Sequence, residues 1–213
     1  MSAKEKQSAS TLRRVPNQRR SRERVENILG CATALIAENG SDTMRMSELA
    51  QNAGISIGSL YQYFPDKAAI IQTLAKRYHE EGHACIEAGL AHVQTADDLY
   101  AAFGALIDEY YEIFLADPVM RDVWFGTQAD KTLRENELAD SRENANILIK
   151  TLKRINPAAR KQEHKAAAFT IMHLCESIMR FAISVKKSEG KKLVKTYKRM
   201  AEAELRRIVE DKP

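Results

Sequence analysis

Residues 46–64 read MSELAQNAGISIGSLYQYF and predict two very short helices with a tight turn between them. The apolar spacing favours one helix over 46–53 and another over 57–64, and the glycine of the segment 54–56 suits the turn. Pro65 closes the second helix, because proline disfavours helical backbone in the residue that precedes it. Two short helices joined by such a turn are typical of a helix-turn-helix module that reads duplex DNA.

Longer helices are predicted on both sides of this segment. Before it, apolar side chains recur at steps of three and four from Arg22 to a glycine cap at Gly40. After it, Asp66 is placed to cap a fourth helix, and the pairs Asp117-Pro118 and Asn156-Pro157 indicate further helix starts. No segment alternates with period two over a useful length, so the predicted fold is all-α. The remaining predicted helices lie near 97–116, 118–127, 130–154, 158–187 and 190–210.

Charge and composition restrict the function classes. The chain carries 33 Lys and Arg against 29 Asp and Glu, and residues 1–24 hold eight of the basic residues with only two Glu. Such a basic arm favours approach to a polyanion, because phosphate contacts release counterions. The arm lacks the apolar segment of a signal peptide, so a cytoplasmic location is expected. The cysteines are far apart, which indicates neither a disulfide framework nor a thiolate zinc site: Cys31, Cys85 and Cys175.

The second short helix has the composition of a recognition helix. The segment 56–59 presents a small face that allows its backbone to approach the floor of the major groove. The side chains of Tyr61, Gln62 and Tyr63 then offer hydroxyls and an amide to phosphates or base edges. Residues two apart lie about 200° apart on a helix, so at least one of Tyr61 and Tyr63 is expected to face outward. Lys67 is placed to pair with a backbone phosphate near the start of the next helix.

At these residues the chain resembles the TetR (tetracycline-repressor-like) family of transcriptional regulators. The resemblance lies in residues 46–71, MSELAQNAGISIGSLYQYFPDKAAII, and in residues 36–44, IAENGSDTM. The element L-Y-x-Y-F-x-x-K within it is specific to that family. The resemblance extends over roughly residues 22–82, and beyond them only size and helical layout agree.

The resemblance implies a domain organisation and a set of DNA contacts. A basic disordered arm at 1–21 would precede a three-helix DNA-binding domain at 22–82, with the helix-turn-helix at about 45–64. A C-terminal helical regulatory and dimerisation domain would follow at 83–213. The implied DNA-binding residues are Arg45, Ser47, Ser56, Ile57, Gly58, Ser59, Tyr61, Gln62, Tyr63 and Lys67.

The C-terminal domain is expected to form a homodimer through its last two helices and to bind a small molecule. The helix predicted at 158–187 is apolar over much of its circumference, so it must be covered on two sides, and one side can face a partner subunit. Residues of the last helix expected to join that interface are Val194, Tyr197, Ala201, Leu205 and Ile208. The resemblance implies an effector cavity among the middle helices of this domain. The candidate lining, whose chemistry suggests an apolar or aromatic effector, is Phe103, Tyr110, Tyr111, Met120, Trp124, Phe125, Phe169, Met172 and His173.

One motif favours a different chemistry. Residues 79–83, HEEGH, satisfy the H-E-x-x-H pattern, in which two imidazoles at i and i+4 bind zinc and Glu80 acts as general base. The longer H-E-x-x-H-x-x-G-x-x-H form is absent, since Ile86 and Gly89 occupy the expected Gly and His positions. The alternatives are therefore a metal-dependent hydrolase, a regulatory metal site at His79 and His83, or a helical interaction protein with a nonspecific basic arm.

The preferred interpretation is a non-enzymatic, sequence-specific DNA-binding regulator, without cofactor or bound metal. It would act as a ligand-responsive repressor and bind a near-palindromic operator as a dimer, because one short helix reads only a few base pairs.

Overall fold

A computed structural model describes residues 19–127, 131–157 and 161–210 of the chain. Within these residues the secondary structure is α-helical, without a strand, as the all-α prediction required. The basic arm expected at 1–21 lies largely outside the described residues. The helices are α1 (Arg19–Asn39), α2 (Met46–Asn52), α3 (Ile57–Tyr63), α4 (Lys67–Leu90), α5 (Ala96–Ala116), α6 (Pro118–Thr127), α7 (Lys131–Ile155), α8 (Lys161–Ile183) and α9 (Lys187–Glu210).

The chain divides into two compact units, Met1–Lys76 and Arg77–Pro213. In the N-terminal unit the apolar stripe of α1 packs inward, and the core also takes Leu49 of α2, Leu60 of α3 and Ile70 of α4, each fully buried. Asn27 of α1 donates a hydrogen bond from Nδ2 to the carbonyl oxygen of Ala53 at 2.9 Å. This bond satisfies a carbonyl at the end of α2 and fixes the helix-turn-helix against α1.

Side-chain and glycine caps fix several helix boundaries where the sequence predicts them. Gly40 has φ of 81° and donates its N–H to the carbonyl oxygen of Ile36 at 2.9 Å, which ends α1. Asp66 accepts the N–H of Ala69 at 2.8 Å at the start of α4. Asp117 accepts the N–H groups of Val119 and Met120 at the start of α6, at 2.8 and 3.0 Å. These caps satisfy donors that have no partner within the helix.

Among the described residues, three predicted helix boundaries differ from the structure by three residues or more. The first helix begins at Arg19 and not at Arg22. The helix predicted over 158–187 ends at Ile183, and α9 already begins at Lys187. Residues 158–160, where that predicted helix would start, and residue 130, the predicted start of α7, lie outside the described residues.

The break between α8 and α9 has a steric cause. The backbone N–H of Ser184 bonds to the carbonyl oxygen of Phe181 at 3.2 Å, a tight turn that ends α8. Gly190 then passes so close to α8 that a β-carbon would overlap the carbonyl oxygen of Ala182 and lie 2.7 Å from Tyr111 Oη. Because only glycine fits this contact, the two helices can pack closely from their first turn onward.

The last helix is covered within the chain. The five α9 residues expected at a partner interface are all buried between α9 and the helices α5 and α8 of the same unit: Val194, Tyr197, Ala201, Leu205 and Ile208. This stripe buries α9 on its own domain, so the assignment of Val194, Leu205 and Ile208 to a subunit interface was wrong. Tyr197 and Ala201 are also buried, but they line a groove between α8 and α9. The large apolar side chains of α8 and α9 that are exposed among the described residues are Leu174 and Phe181 of α8, at 46% and 51%, and Met200 of α9, at 61%.

Helix α8 contains a long apolar stretch. Its stretch His164–Ile183 is long and apolar enough to cross a membrane by length and composition. In this fold it lies against α7 and α9 and carries buried Glu176, which makes it the central helix of the unit.

Candidate functional site

The helix-turn-helix presents α3 through a well-defined turn. Gly54 adopts φ of 66°, a left-handed conformation that side-chain-bearing residues rarely adopt, and Ser56 precedes α3 as its N-cap. The Ser56 side chain accepts the N–H of Ser59 at 3.1 Å. The cap and the glycine turn together set the direction in which α3 leaves α2.

Helix α3 has one buried and one exposed side. Leu60 and Phe64 are fully buried, and Tyr63 is only 7% exposed. Ile57 and Tyr61, one turn apart on the other side, are exposed to 41% and 42%.

The residues predicted to contact DNA divide accordingly. Tyr61 faces outward and Tyr63 inward, as their spacing requires. Of the predicted set, the exposed residues are Arg45, Ser47, Ser56, Ile57, Gly58, Tyr61 and Gln62, whereas Ser59 and Lys67 are half-buried.

Lys67 has a contact that the sequence did not indicate. Its ammonium donates to the carbonyl oxygens of Ser41 and Asp42, both at 2.9 Å. The side chain therefore joins the first turn of α4 to the loop between α1 and α2. An ammonium group has three donors, so these two bonds leave one for a further acceptor.

The C-terminal unit encloses a cavity of about 210 Å³. A cavity of about 150 Å³ is enough to hold benzene, so this one has room for a substituted ring. Helices α4, α5, α6, α7 and α8 contribute to its wall. The lining residues are Tyr78, His79, Glu81, Gly82, Cys85, Ile86, Leu90, Phe103, Leu106, Ile107, Tyr110, Ile113, Asp117, Met120, Trp124, Asp140, Asn144, Met172, Cys175 and Glu176.

One part of the wall is aromatic. The ring of Trp124 meets His79 edge-on at a centroid distance of 4.8 Å and Tyr78 at 6.1 Å. Tyr78 donates its hydroxyl to Asp117 at 3.2 Å, which orients the ring. Burial, followed by the charge of Asp117, raises the pKa of the Tyr78 hydroxyl.

Another part of the wall is a buried polar cluster on α7 and α8. Its α7 members lie at positions 137, 140, 141 and 144, one face of the helix, and Glu176 joins them from α8. Ser141 Oγ lies 3.3 Å from both carboxylate oxygens of Glu176. Arg180 Nη1 donates to Glu137 Oε1 at 2.6 Å, so Glu137 is compensated by a cation.

The two histidines of the HEEGH segment converge on Asp140. His83 Nε2 lies 2.8 Å and His79 Nδ1 lies 3.4 Å from Asp140 Oδ1. Burial lowers the pKa of His79 to about 4, and repulsion from His83 acts in the same direction, so the His79 ring is neutral at pH 7.

The carboxyl groups of the cluster have raised pKa values. Burial raises the pKa of Asp140 to about 6, against the attraction of His83 and with the repulsion of Glu143 and Glu137. Burial raises the pKa of Glu176 well above its ordinary value, and the charges of Glu137 and Asp140 add to this effect. Removing carboxylates from water is costly, and this cost is the main cause of both shifts.

The HEEGH segment does not assemble a metal centre. Glu80 is exposed on the outside of α4. In the part of the chain that the structure describes, no group of three or more His, Cys, Asp or Glu side chains is arranged to hold a metal ion. The two imidazoles instead contact a carboxylate and an aromatic ring.

The residues predicted to line an effector pocket lie only in part at this cavity. Five of the nine predicted residues line the cavity, namely Phe103, Tyr110, Met120, Trp124 and Met172. Phe125 and Tyr111 do not line this cavity, because Phe125 points outward with 46% exposure and the Tyr111 hydroxyl packs beside Gly190. Phe169 and His173 do not line the cavity; their rings stack on each other with centroids 6.0 Å apart. His173 Nδ1 lies 3.1 Å from Ser141 Oγ.

Sequence reasoning missed the α4 wall and the polar cluster. The α4 residues were missed because the HEEGH pattern points to zinc ligands and gives no sign of a cavity wall. A usable signal for the cluster existed on α7, where Glu137, Asp140, Ser141 and Asn144 recur at the spacing of one helix face. Polar residues at that spacing are usually solvent-facing, and only the tertiary structure turns this face inward.

Family models match both units of the chain. The model described as "Bacterial regulatory proteins, tetR family" matches residues 28–74. The model described as "Tetracyclin repressor-like, C-terminal domain" matches residues 97–209, more than half of the chain. The chain belongs to the TetR family. The resemblance seen at the helix-turn-helix is confirmed, and family membership points to a regulator and not to an enzyme.

Relatives of this TetR-family chain match it over different extents. The transcriptional repressor KstR of Mycolicibacterium smegmatis is 32% identical over 59 residues, which are 28% of this chain and 29% of that protein. KstR of Rhodococcus jostii is 33% identical over 58 residues, 27% of each chain. The matched segment thus spans less than a third of the length of these relatives.

Solved structures share the fold at low sequence identity. A TetR-family transcriptional regulator from Streptomyces coelicolor superposes with a TM-score of 0.66 at 20% identity, covering 87% of this chain and 99% of that one. A complex of SmeT with triclosan superposes with a TM-score of 0.65 at 18% identity, covering 85% and 91%. At these sequence identities, the similarities show a shared fold.

Proposed function

We propose that this TetR-family chain is a DNA-binding transcriptional repressor that responds to a small molecule. The observation that carries the proposal is the exposed face of α3, where Ile57 and Tyr61 stand out of the domain on a helix fixed by the Ser56 cap. Exposing large apolar side chains in this way has a cost that a partner surface offsets. The proposed site of action is the cytoplasm.

In this proposal α3 enters the major groove and the flanking residues position it. Gln62 reads a base edge by its amide, and Tyr61 donates its hydroxyl to a phosphate. Arg45 and Ser47, exposed at the start of α2, contact the backbone on one side of α3. Lys67 holds the loop before α2 and offers its remaining donor to a phosphate. Repression, and not activation, of transcription is supported by the two matched relatives, which are both named as repressors.

The proposed repressor is a homodimer through the outer faces of α8 and α9. Leu174 and Met200 line one groove between these helices, and Phe181 lies on the same side of α8 as Leu174, seven residues later. Two copies related by a two-fold axis would place two α3 helices on one near-palindromic operator. The effector would bind in the cavity between α4 and α8 and favour one arrangement of the dimer.

A mobility-shift assay on the DNA upstream of the gene for this chain tests the proposal. The full chain should give a discrete complex that unlabelled upstream DNA displaces and random DNA of equal length does not. The variants Gln62→Ala and Tyr61→Ala should weaken it, whereas the matched control Gln94→Ala, exposed in the loop before α5, should not. Binding that ignores sequence and both substitutions would contradict the proposal and favour an interaction protein with a nonspecific basic arm.

A further inference from the structure

The cavity wall is one-sided in charge. Among the residues that the structure describes, no lysine or arginine lines the cavity, whereas the carboxyl groups of Glu81, Asp117, Asp140 and Glu176 all do. Asp117 accepts the hydroxyl of Tyr78. Asp140 and Glu176 belong to the buried polar cluster and are only 7% and 4% exposed.

The cluster also holds an acceptor without a donor. Asn144 lines the cavity, is 8% exposed, and donates from Nδ2 to Asp140 Oδ2 at 3.4 Å. Its Oδ1 is buried and has no hydrogen-bond partner among the described residues. Such an orphaned acceptor costs about 1–3 kcal/mol, so a ligand that brings a donor is favoured at this point.

The charges of the cluster leave a deficit of positive charge. Arg180 compensates Glu137, and His79 is neutral at pH 7 because burial lowers its pKa to about 4. Burial and the neighbouring carboxyl groups raise the pKa values of Asp140 and Glu176, so ionising both groups in the cluster is costly. A cation in the cavity would offset this cost, and an anion would increase it.

The aromatic part of the wall suits the same charge. Tyr78, Phe103, Tyr110 and Trp124 line the cavity, and the negative face of an aromatic ring attracts a cation. Their apolar surface also favours a hydrocarbon or aromatic body on the ligand.

We propose that the cavity binds lipophilic amines in their cationic form, with the ammonium group near Asp140, Asn144 and Glu176 and the apolar body against Trp124. This inference rests on the proposed function only in treating the cavity as the effector site. It names the chemical class of the effector and predicts weak binding of carboxylates, which bring negative charge into the cavity.

Three probes with one common body test the inference: 4-phenylbutylamine, 4-phenylbutanol and 4-phenylbutanoate. Trp124 is the single tryptophan of the chain and lines the cavity, so its fluorescence reports occupancy, and calorimetry gives an independent dissociation constant. The amine should bind the full chain at least about tenfold more tightly than the alcohol, and the carboxylate should bind most weakly. Equal affinity for amine and alcohol, tighter binding of the carboxylate, or no saturable binding of the amine would each overturn the inference.

Variants locate the ammonium group. Asp140→Asn and Glu176→Gln keep the shape of the wall and should each reduce the affinity for the amine about tenfold while leaving that for the alcohol within twofold. Glu112→Gln, an exposed change on α5 outside the cavity, is the matched control and should alter neither. Amine affinity that is unchanged in both cluster variants would overturn the placement of the ammonium group near Asp140 and Glu176. The comparison of the three probes on the wild type tests the inference even if a variant fails to fold.

A parallel mobility-shift assay separates this inference from the proposed function. Specific DNA binding without selective amine binding would contradict the inference alone. Selective amine binding by a chain that fails to bind DNA specifically would contradict the proposed function alone.

Discussion

Asp140 Oδ1 on α7 lies 2.8 Å from His83 Nε2 on α4, in the interior of the C-terminal unit. The contact joins the buried polar cluster to the segment that resembles a zinc motif. Burial raises the pKa of Asp140 to about 6 in spite of His83, so the imidazole compensates the carboxylate only in part. Ionised Asp140 therefore lowers the stability of the folded unit when the cavity is empty.

That cost predicts the pH dependence of the Asp140→Asn variant. The pKa of Asp140 is about 6 in the folded chain and about 4 in an unfolded one, so the folded state binds its proton more tightly. The contribution of this group to stability is present below about pH 4 and is lost as the pH rises through 6. At pH 8 Asp140→Asn should therefore be more stable than the wild type, by about 1–3 kcal/mol.

Urea unfolding followed by Trp124 fluorescence checks this prediction within the C-terminal unit. The advantage of the variant should shrink between pH 8 and pH 4, and Glu112→Gln should show no comparable trend. The charged and titratable groups that face Asp140 are His79, His83, Tyr110, Glu137, Glu143 and Glu176. The titration of these groups should be followed over the same range of pH. A variant less stable than the wild type at pH 8 would show that the contact with His83 dominates.

Gly190 should tolerate no side chain. A β-carbon there would overlap the Ala182 carbonyl oxygen and crowd Tyr111, so Gly190→Ala should lose about 1–3 kcal/mol of unfolding free energy through forced separation of α8 and α9. The control Gly104→Ala lies in α5, where a β-carbon would meet Lys198 Cε at 3.4 Å, an ordinary contact. It should be neutral or stabilise by up to about 1 kcal/mol, because alanine favours helix. Equal effects of the two substitutions in thermal unfolding would contradict the account of the α8–α9 turn.

Lys67 should contribute to the stability of the N-terminal unit as well as to DNA binding. Lys67→Met removes two charge-assisted bonds to the carbonyl oxygens of Ser41 and Asp42 and should destabilise that unit by about 1–3 kcal/mol. Hydrogen exchange should become faster at residues 40–45, and Lys195→Met on α9, an exposed change, should leave it unchanged. Unaltered exchange in Lys67→Met would show that the loop before α2 is held by other contacts.

Gln62 should carry sequence preference, and Tyr61 should carry affinity. Loss of one base contact typically costs about 1–3 kcal/mol, so Gln62→Ala should bind an operator about tenfold or more weakly and discriminate less at one position of each half-site. Tyr61→Phe removes only the hydroxyl and should weaken binding to all sequences alike, as expected for a phosphate contact. Fluorescence anisotropy on a set of single-base operator variants separates the two effects, and identical profiles for both substitutions would contradict the assigned roles.

The N-terminal unit was predictable because its determinants are local. The stripe of α1, the glycine at Gly54, the cap at Asp66 and the proline after α3 each act within a few residues along the chain. Their helices agree with the prediction to within three residues. The break between α8 and α9 was not predictable in this way, because the reason for it is the approach of Gly190 to Ala182 across a turn.

The lining of the cavity was still less predictable from the sequence than the break between α8 and α9. Aromatic residues on α5 and α6 were identified because the resemblance to the TetR family implies a cavity among the middle helices of the C-terminal domain. Tyr111 and Phe125 failed the same expectation because the helix rotation, which the pattern left undetermined, turns them to Gly190 and to solvent. The inward face of α7 was missed because its charged residues follow the pattern of a solvated face.

The central claim is that the exposed side of α3 reads DNA sequence, and selection from a random pool of 30-base-pair duplexes by the full chain tests it most directly. The wild type should enrich one near-palindromic sequence, and a Tyr61→Ala, Gln62→Ala double variant that retains its helical circular dichroism should not. A pool that stays random with the wild type, or that enriches the same sequence with the double variant, would contradict the claim.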